Sequence, residues 1–273
     1  MLLANYHTHT TLCDGSDTPE AVAAEADRAG IKHLGFSGHM DPDIHMAWPD
    51  YVKAISALKE QYQGRMDILM GVELDNLYDP ACCPGAEYII GSTHFLDVET
   101  PLPMSVDNTP EMMQQLADEH FGGDFYALSK AYYELEAKVY DRTMCTFIGH
   151  FDLVTRFNDD MHFLDETSKR YLGPALEAME YLVSEGVPFE INCGAVNRGR
   201  KKELYPRTEL LRALHGFGGE IFINSDAHQK ERLLGAFDQA VAAAIAAGFT
   251  HVNILVHDDS GKVSARQLAL DTL

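Results

Sequence analysis

Apolar stretches of strand length alternate with longer helical patterns along this chain. The apolar stretches are "LLANYH", "HLGFSGH", "DILMGVELD", "EYIIGSTHF", "CTFIGHFDL", "VPFEINCG" and "EIFINSDAH". Most of them precede a pattern of helical period, such as "TPEAVAAEADRAG" or "SKRYLGPALEAMEYLVSEG". Strands that alternate with helices are typical of a parallel sheet with right-handed crossovers. We therefore predict an α/β fold in which these seven strands close into a (β/α)7 TIM-like barrel.

Residues 95–145 depart from this rhythm. They contain "DVETPLPMSVDNTPE", a helical pattern near 110–120, a "FGGDF" break and a second helical pattern near 126–141. We predict that this segment is an insertion after the fourth strand and that it covers a site. The chain shows no repeat of fixed period and no linker, so we expect a single domain over residues 1–273.

The composition indicates a globular protein of the cytoplasm. The chain is 46% hydrophobic, but no apolar run reaches the roughly 18 residues of a membrane helix. Its start lacks the basic and apolar regions of a signal peptide, so we expect a cytoplasmic location and no membrane partner. The cysteines, at positions 13, 82, 83, 145 and 193, have no C-x-x-C spacing. This argues against a disulfide framework and against a zinc ribbon.

The acidic excess of the chain limits its partners. It carries 42 acidic and 21 basic residues, which gives a formal net charge of −21. Such a field repels a phosphate backbone, so we expect no nucleic-acid partner. The same excess suits a protein that binds several divalent cations, although negative charge also serves solubility alone. The chain has no P-loop, G-x-G-x-x-G turn or G-x-S-x-G elbow, which excludes nucleotide kinases, dinucleotide dehydrogenases and serine hydrolases.

The carboxyl ends of the predicted strands carry side chains that bind metals. Active sites of parallel barrels form at these ends. In "HTH" and in "SDAH", the residues at positions i and i+2 of a strand share one face. The sixth strand offers only Asn192 and Cys193 at this place. One such histidine alone is readily explained as an ordinary core or surface residue, whereas their joint placement predicts a metal centre. The residues in question are His7, His9, His39, Glu73, His94, His150, Asp226 and His228.

The size of this set predicts more than one ion. Imidazole and carboxylate groups bind zinc, manganese and ferrous iron, and a carboxylate can bridge two ions. With Asp14, which closely follows "HTH", the set has six histidines and three acids, which exceed what one tetrahedral site can use, so we predict two to three divalent ions (Zn, Mn or Fe). Such a cluster suits hydrolysis of a phosphate ester, because metal coordination lowers the pKa of water towards about 7. The expected nucleophile is a hydroxide that bridges two ions.

Several motifs, in this order and spacing, resemble the PHP (polymerase and histidinol phosphatase) superfamily, in particular its histidinol-phosphatase family. The motifs are "HTHTTLCDG", "LGFSGH", "GVELD", "IIGSTHF", "FIGHFDL", "FEINCGAVNRG" and "NSDAH". The resemblance covers nearly the whole chain, including "FGGDFYALSKAYYE". It implies a distorted seven-stranded barrel with three metal ions at the carboxyl ends of its strands. It also implies the hydrolysis of L-histidinol phosphate to L-histidinol and phosphate, a step of histidine biosynthesis.

The resemblance implies a ligand set as well. Family members often carry a histidine at the position of Asp14, and Asp17 is a rival ligand. The place of Asp17 just before Thr18 and Pro19 favours helix capping over metal binding. The implied ligands are His7, His9, Glu73 and Asp226 for one ion, Glu73, His94 and His150 for a second, and Asp14, His39 and His228 for a third.

Arginines close to these ligands in the sequence predict phosphate binding. Arg156 follows His150 closely and Arg198 follows the sixth strand, so both are candidates to bind the substrate phosphate. A solvated surface arginine is the alternative for each of them. The residues that we expect to act in catalysis are Glu73, Asp226 and His228.

The remaining expectations concern the substrate and the partners. Asp107 and Tyr205 are candidates to bind the amine and the imidazole of the substrate, with a plain loop residue as the alternative for each. The expected partner is a small-molecule phosphate ester, and the chain is expected to be a monomer or a homodimer. Two other functions stay open. One is a PHP-type phosphoesterase that acts on small nucleotides, and the other is a noncatalytic metal-binding PHP module.

Overall fold

Seven parallel strands form the body of the molecule. A computed structural model describes residues 4–98, 103–258 and 261–272. The strands are β1 (Ala4–Asn5), β2 (His33–Phe36), β3 (His39–Met40), β4 (Asp67–Asp75), β5 (Tyr88–Ser92), β6 (Phe95–Leu96), β7 (Met104–Ser105), β8 (Phe147–Ile148), β9 (Phe189–Asn192), β10 (Ile221–Asn224), β11 (His251–His257) and β12 (Val263–Ala269). The parallel order is β1-β2-β4-β5-β8-β9-β10, and β3 pairs with β4 beyond the end of β2. Each predicted strand is present and in the predicted order.

The sheet closes between its first and last strands. Beyond the ends of β1 and β10, a parallel bridge joins Thr8 to Ala227. The backbone N–H of His9 donates to the carbonyl of Ala227 at 2.8 Å, and the N–H of Ala227 donates to the carbonyl of His7 at 3.1 Å. The prediction of a (β/α)7 barrel is confirmed.

Helices surround the barrel. They are α1 (Pro19–Ala29), α2 (Trp48–Tyr62), α3 (Pro110–Phe121), α4 (Phe125–Glu136), α5 (Val139–Thr143), α6 (Asn158–Met161), α7 (Lys169–Ser184), α8 (Gly194–Asn197), α9 (Thr208–Gly216) and α10 (Phe237–Ala247). The cap of α1 differs from our expectation, because the Thr18 hydroxyl accepts the hydrogen bond from the N–H of Ala21. The Asp17 carboxylate binds the Lys230 ammonium at 2.9 Å instead. The expectation that Asp17 caps this helix is therefore wrong.

The segment after the fourth barrel strand begins with a short antiparallel hairpin of β6 and β7. The helices α3 and α4 follow close to the predicted positions, but the second predicted helix ends at Glu136 and α5 begins separately at Val139. Residues 99–102 of this segment lie outside the described residues. The connection from β4 to β5 also departs from the helical rhythm, since it holds only a 3-10 turn at Pro80–Cys82.

A hairpin that we did not predict ends the chain. The strands β11 and β12 pair antiparallel along their full length. The hairpin is tied to the barrel by Tyr6, whose hydroxyl donates to the carbonyl of Leu255 at 3.0 Å and accepts from the N–H of Leu255 at 2.8 Å. This arrangement anchors the hairpin against the start of the chain.

A tyrosine on β5, Tyr88, packs closely against the strands β1, β2 and β4. The hydroxyl of Tyr88 lies 2.6 Å from the carbonyl of Tyr6 and 2.9 Å from that of Phe36. A Cβ atom at Gly35 or Gly71 would lie within 2.2 Å of the Tyr88 side chain, so glycine is required at both positions.

Within the described residues, no helix has the length and apolarity needed to cross a membrane.

Candidate metal centre

The predicted metal ligands come together at the carboxyl end of the barrel. They form overlapping groups in which the ligand atoms lie within 4.8 Å of one another. Because the groups share members, they make one connected cluster. The groups are His9, Asp14, His39 and His228; His7, His9 and Asp226; His7, Glu73 and His150; and His39, Asp41 and His94.

Glu73 lies at the middle of this cluster, on β4, and its two oxygens face different histidines. Oε1 also accepts a hydrogen bond from the Ser92 hydroxyl at 2.9 Å. A carboxylate that bridges two ions must present each oxygen to a different set of ligands, as Glu73 does here. The distances are 3.0, 3.4 and 3.2 Å from Oε2 to His7 Nε2, His9 Nε2 and His39 Nδ1, and 2.8 and 3.2 Å from Oε1 to His150 Nε2 and His94 Nε2.

An unpaired buried nitrogen tests whether cations fit this cluster. His9 Nε2 is buried and has no hydrogen-bond partner among the described residues. It lies 3.4 Å from Glu73 Oε2 and 3.4 Å from Asp226 Oδ1. An unsatisfied buried polar atom costs about 1–3 kcal/mol, whereas a cation would pair with this nitrogen and with both oxygens. The donor set of imidazole and carboxylate groups is the one that zinc, manganese and iron accept. The residues therefore fit divalent ions.

Asp14 belongs to the cluster and Asp17 does not. Oδ2 of Asp14 lies 3.0 Å from His228 Nε2, and its Oδ1 lies 3.4 Å from His9 Nδ1. Asp17 is occupied by Lys230, which donates to it from both the backbone N–H and the side chain. Of the two rival aspartates, only Asp14 faces the histidines.

Asp226 enters the cluster from a left-handed backbone conformation, with a φ of 48°. Aspartate adopts this region more readily than most residues. Its Oδ2 accepts a hydrogen bond from Arg198 Nη2 at 3.0 Å, and its Oδ1 lies 3.3 Å from His228 Nδ1. Arg198 also lies 2.8 Å from His228 Nδ1 through Nη1. This arginine therefore contacts two of the predicted ligands directly.

Glu190, on β9, is not among the predicted site residues. Its side chain is fully buried and lies 3.0 Å from His7 Nδ1 through Oε2. An acid in the middle of the apolar strand "PFEIN" is the signal that could have revealed it. At the end of the same strand, the Nδ2 of Asn192 donates to Glu190 at 2.7 Å. Cys193 faces the carbonyl of Ala236 at 3.8 Å, and its thiol is in none of the candidate metal-binding groups of the described residues.

Two further aspartates also went unpredicted. Asp41 Oδ2 lies 3.3 Å from His39 Nδ1, and burial raises the pKa of this carboxyl to about 6. Asp75 Oδ2 accepts a hydrogen bond from the N–H of His94 at 2.8 Å and lies 3.4 Å from its Nδ1. Each follows a predicted ligand by two residues, so the alternation of strand side chains could have revealed them.

The charges in the cluster stabilise one another against burial. Burial disfavours a charged ring at His7, but the carboxylates of Glu190 and Glu73 raise its pKa to about 10. Burial opposes ionisation of Asp226 too, yet Arg198 and His7 hold its pKa well below the usual range. His39 differs, since burial and the neighbouring charge of His9 lower its pKa to about 3. The carboxylates thus stay ionised, which is the state that metal binding needs.

A cavity of about 610 Å³ opens above the cluster. Arg156 and Arg198 both line it, as do Asp107 and Tyr205. Arg156 Nη1 donates to Asp107 Oδ2 at 2.7 Å, which joins the segment after the fourth strand to the loop that follows β8. The structure therefore brings all four predicted substrate-binding candidates to one cavity. Arg200, which the sequence places near Arg198, lines it as well.

Comparison with known proteins connects this site to a family. A family model described as the PHP domain matches residues 5–194. The chain is 29% identical over 262 residues to a protein of Deinococcus radiodurans named a probable histidinol-phosphatase, covering 88% of this chain and 91% of that one. It is 23% identical over 256 residues to the histidinol-phosphatase of Bacillus subtilis, covering 82% and 92%.

A solved structure has the same fold. The histidinol phosphate phosphatase of Lactococcus lactis, complexed with zinc, L-histidinol and phosphate, aligns with a TM-score of 0.74 at 19% identity. The alignment covers 97% of this chain and 100% of that protein. Because the family model spans well over half of the residues, including most of the metal cluster, the chain belongs to the PHP domain family.

Proposed function

We propose that this chain is a metal-dependent phosphomonoesterase that hydrolyses L-histidinol phosphate to L-histidinol and phosphate. The observation that carries the proposal is the cluster of histidines and carboxylates at the floor of a cavity whose wall contains Arg156 and Arg198. The names of the relatives support this substrate. The cytoplasmic location and the monomeric or dimeric state expected from the sequence stay predictions.

Two to three divalent ions, of zinc, manganese or iron, would occupy the cluster. Glu73 would bridge, because its two oxygens face separate sets of histidines. Bound ions of this kind supply hydroxide at neutral pH and stabilise charge on a phosphate. The proposed ligands are His7, His9, Glu73 and Asp226 for one ion, Glu73, His94 and His150 for a second, and Asp14, His39 and His228 for a third.

The chain's own side chains would bind and orient the ester. Arg156 and Arg198 would neutralise the phosphate oxygens, for which the guanidinium fork is suited. Asp107 would attract the cationic amine of the substrate, since it lines the same cavity and burial has not neutralised it: its pKa is lowered by His94 and Arg156. The Tyr205 ring, also in the cavity wall, would contact the imidazole. Because Asp107 and Arg156 contact one another, the amine and the phosphate would bind at neighbouring positions of the cavity wall.

The experiment that tests this function measures phosphate release from L-histidinol phosphate. We expect release by the protein loaded with manganese or zinc, and loss of release after chelation with EDTA. His33→Asn is a matched histidine control outside the cluster, and this variant should keep the activity. Cleavage of small nucleotides such as AMP, with no release from L-histidinol phosphate, would contradict the proposal in favour of another phosphoesterase activity. Absence of release from every ester would indicate a noncatalytic metal-binding module.

A further inference from the structure

Glu190 stands behind the proposed metal centre, on the side of His7 that faces away from the other ligands. Its carboxylate lies 3.0 Å from His7 Nδ1 through Oε2 and 3.1 Å through Oε1. The opposite ring nitrogen, Nε2, lies 3.0 Å from Glu73. His7 is therefore held between two carboxylates, of which only Glu73 faces the cluster.

Four donors converge on this single carboxylate. Glu190 Oε1 accepts from the backbone N–H of His150 at 2.9 Å and from Asn192 Nδ2 at 2.7 Å. Glu190 Oε2 accepts from Asn224 Nδ2 at 2.9 Å, and the His7 ring is the fourth donor. Three of these donors lie on other barrel strands or their extensions, and the carboxylate is fully buried. Each of these four partners donates a hydrogen to the carboxylate.

This pattern decides which nitrogen of His7 can bind a metal. An ionised carboxylate has no proton to donate, so His7 Nδ1 must supply the hydrogen in the bond to Glu190. When a metal ion displaces the second proton of the ring, Nε2 is then the nitrogen that offers an electron pair towards the cluster. Carboxylates that accept from the second nitrogen of a metal-binding histidine fix its tautomer and its orientation.

We propose that Glu190 is a positioning residue that prepares His7 and His150 for metal binding. It holds the His7 ring with Nε2 directed at the centre, and it fixes the backbone from which His150 extends. The inference rests on the proposed metal centre, since it assigns a role towards it, but it does not depend on which phosphate ester is cleaved.

Glu190→Gln tests the proposal, because it keeps the size of the side chain and removes its charge. A glutamine has one acceptor oxygen and one NH₂ group, so it cannot accept from all four donors. With its oxygen towards His150 and Asn192, its NH₂ would donate to His7 Nδ1. His7 would then carry its proton on Nε2, which blocks metal binding there.

We expect the zinc affinity of Glu190→Gln, measured by competition with a chromophoric chelator, to fall about 10- to 100-fold. A matched control is Glu136→Gln, which changes another fully buried glutamate. Burial raises the pKa of Glu136 to about 8, so this variant removes little charge at pH 7 and should keep the wild-type zinc affinity. The ¹⁵N signals of histidine in the zinc-loaded protein provide a second readout, with His7 identified through its loss in His7→Asn.

In the wild-type protein, these signals should show His7 protonated at Nδ1, and in Glu190→Gln they should show the proton at Nε2. A Glu190→Gln protein that is less stable but has wild-type zinc affinity and unchanged His7 signals would overturn the proposal, because Glu190 would then be structural only. Glu190→Asp keeps a carboxylate in the core, but the shorter side chain moves it away from His7. Wild-type zinc affinity in that variant would overturn the proposal too. If the wild-type protein itself binds no zinc, manganese or iron, the proposed function falls and takes this inference with it.

Discussion

At the scale of single residues, Glu73 faces every proposed histidine ligand except His228. Each of its oxygens faces at least two histidine nitrogens at 2.8–3.4 Å. A neutral amide in its place would offer one oxygen, and its NH₂ group would direct hydrogens at nitrogens that must bind cations. One substitution should therefore affect more than one ion.

We predict that Glu73→Gln reduces the metal bound per chain and lowers turnover of the phosphate ester by at least about 100-fold, since loss of a single oriented electrostatic contact already has that effect. Metal content by atomic emission and initial rates by phosphate release would measure the two effects. His33→Asn is the control, because His33 contacts Asp67 at 3.5 Å outside the cluster. Full metal content together with a normal rate in Glu73→Gln would rule out the bridging role.

A site residue could be predicted from the sequence where it stands at the end of a predicted strand. Imidazole groups at successive strand ends are easily recognised, so His94 and His150 could be predicted as candidate ligands from the sequence alone. Glu190 could not be assigned a role, because its function depends on three donors from distant strands that only the closed barrel brings together. Asp17 was misjudged because Lys230, its partner, lies more than two hundred positions away.

At the scale of elements, the carboxy-terminal hairpin is attached to the amino ends of two barrel strands. His257, at the end of β11, lies 2.8 Å from Asp67 through Nδ1 and 3.0 Å from Glu87 through Nε2. His33 faces the other oxygen of Asp67, and Lys59 pairs with Glu87. Partial burial disfavours a charged ring, but the two carboxylates outweigh it and raise the pKa of His257.

The hairpin contact should depend on pH. A raised pKa in the folded protein means that His257 contributes stability fully below the unfolded-state pKa near 6.5 and loses it as pH rises through the folded-state value. The pKa values of Asp67 and Glu87 are lowered, so their contribution is lost only in acid, below their unfolded-state values of about 4. The contact is therefore strongest between about pH 4.5 and 6.5.

We predict that His257→Asn lowers the free energy of unfolding by up to about 1 kcal/mol in this window, because solvent screens a partly exposed ion pair. The loss should shrink above pH 7. Urea unfolding at a series of pH values would measure it. His251→Asn, at the exposed start of the same strand, is the control. A loss that stays equal from pH 5 to pH 9 would show that the charge of His257 is not involved.

The barrel strands were predictable as elements, and the hairpin was not. Each barrel strand is an apolar run with a helix or a turn after it, which is a strong pattern in the sequence. The strand β12 has mostly exposed side chains and pairs with β11 alone, so "VSARQLA" shows little of the alternation that marks a strand. The split between α4 and α5 was missed for a similar reason, since no proline or glycine separates them.

At the scale of the whole molecule, the proposed metal centre joins both ends of the sequence. His7 and His9 follow the first barrel strand, and Asp226 and His228 follow the last. A ligand that binds only the folded chain stabilises it by about 2.7 kcal/mol at a concentration a hundred times its dissociation constant. For a chain of this size, each 1 kcal/mol corresponds to roughly 2–4 °C in Tm.

We therefore predict that chelation lowers the Tm by about 5–10 °C relative to the zinc- or manganese-loaded protein. Differential scanning fluorimetry with and without EDTA would measure this shift. Asp17→Asn should show the full shift, because Asp17 contacts Lys230 and no histidine of the cluster. Equal Tm values in the two conditions would mean that the ions contribute nothing to the folded state.

The bridge between Thr8 and Ala227 has a consequence for how the protein is made. Thr8 is synthesised more than two hundred residues before Ala227. While the ribosome is still adding residues, His7 and His9 exist without Asp226 and His228, so the proposed centre lacks Asp226 from its first set of ligands and His228 from its third. Complete loading of the centre then has to follow synthesis of nearly the whole polypeptide, and a product that terminates before residue 221 would carry an open barrel that lacks Asp226 and His228.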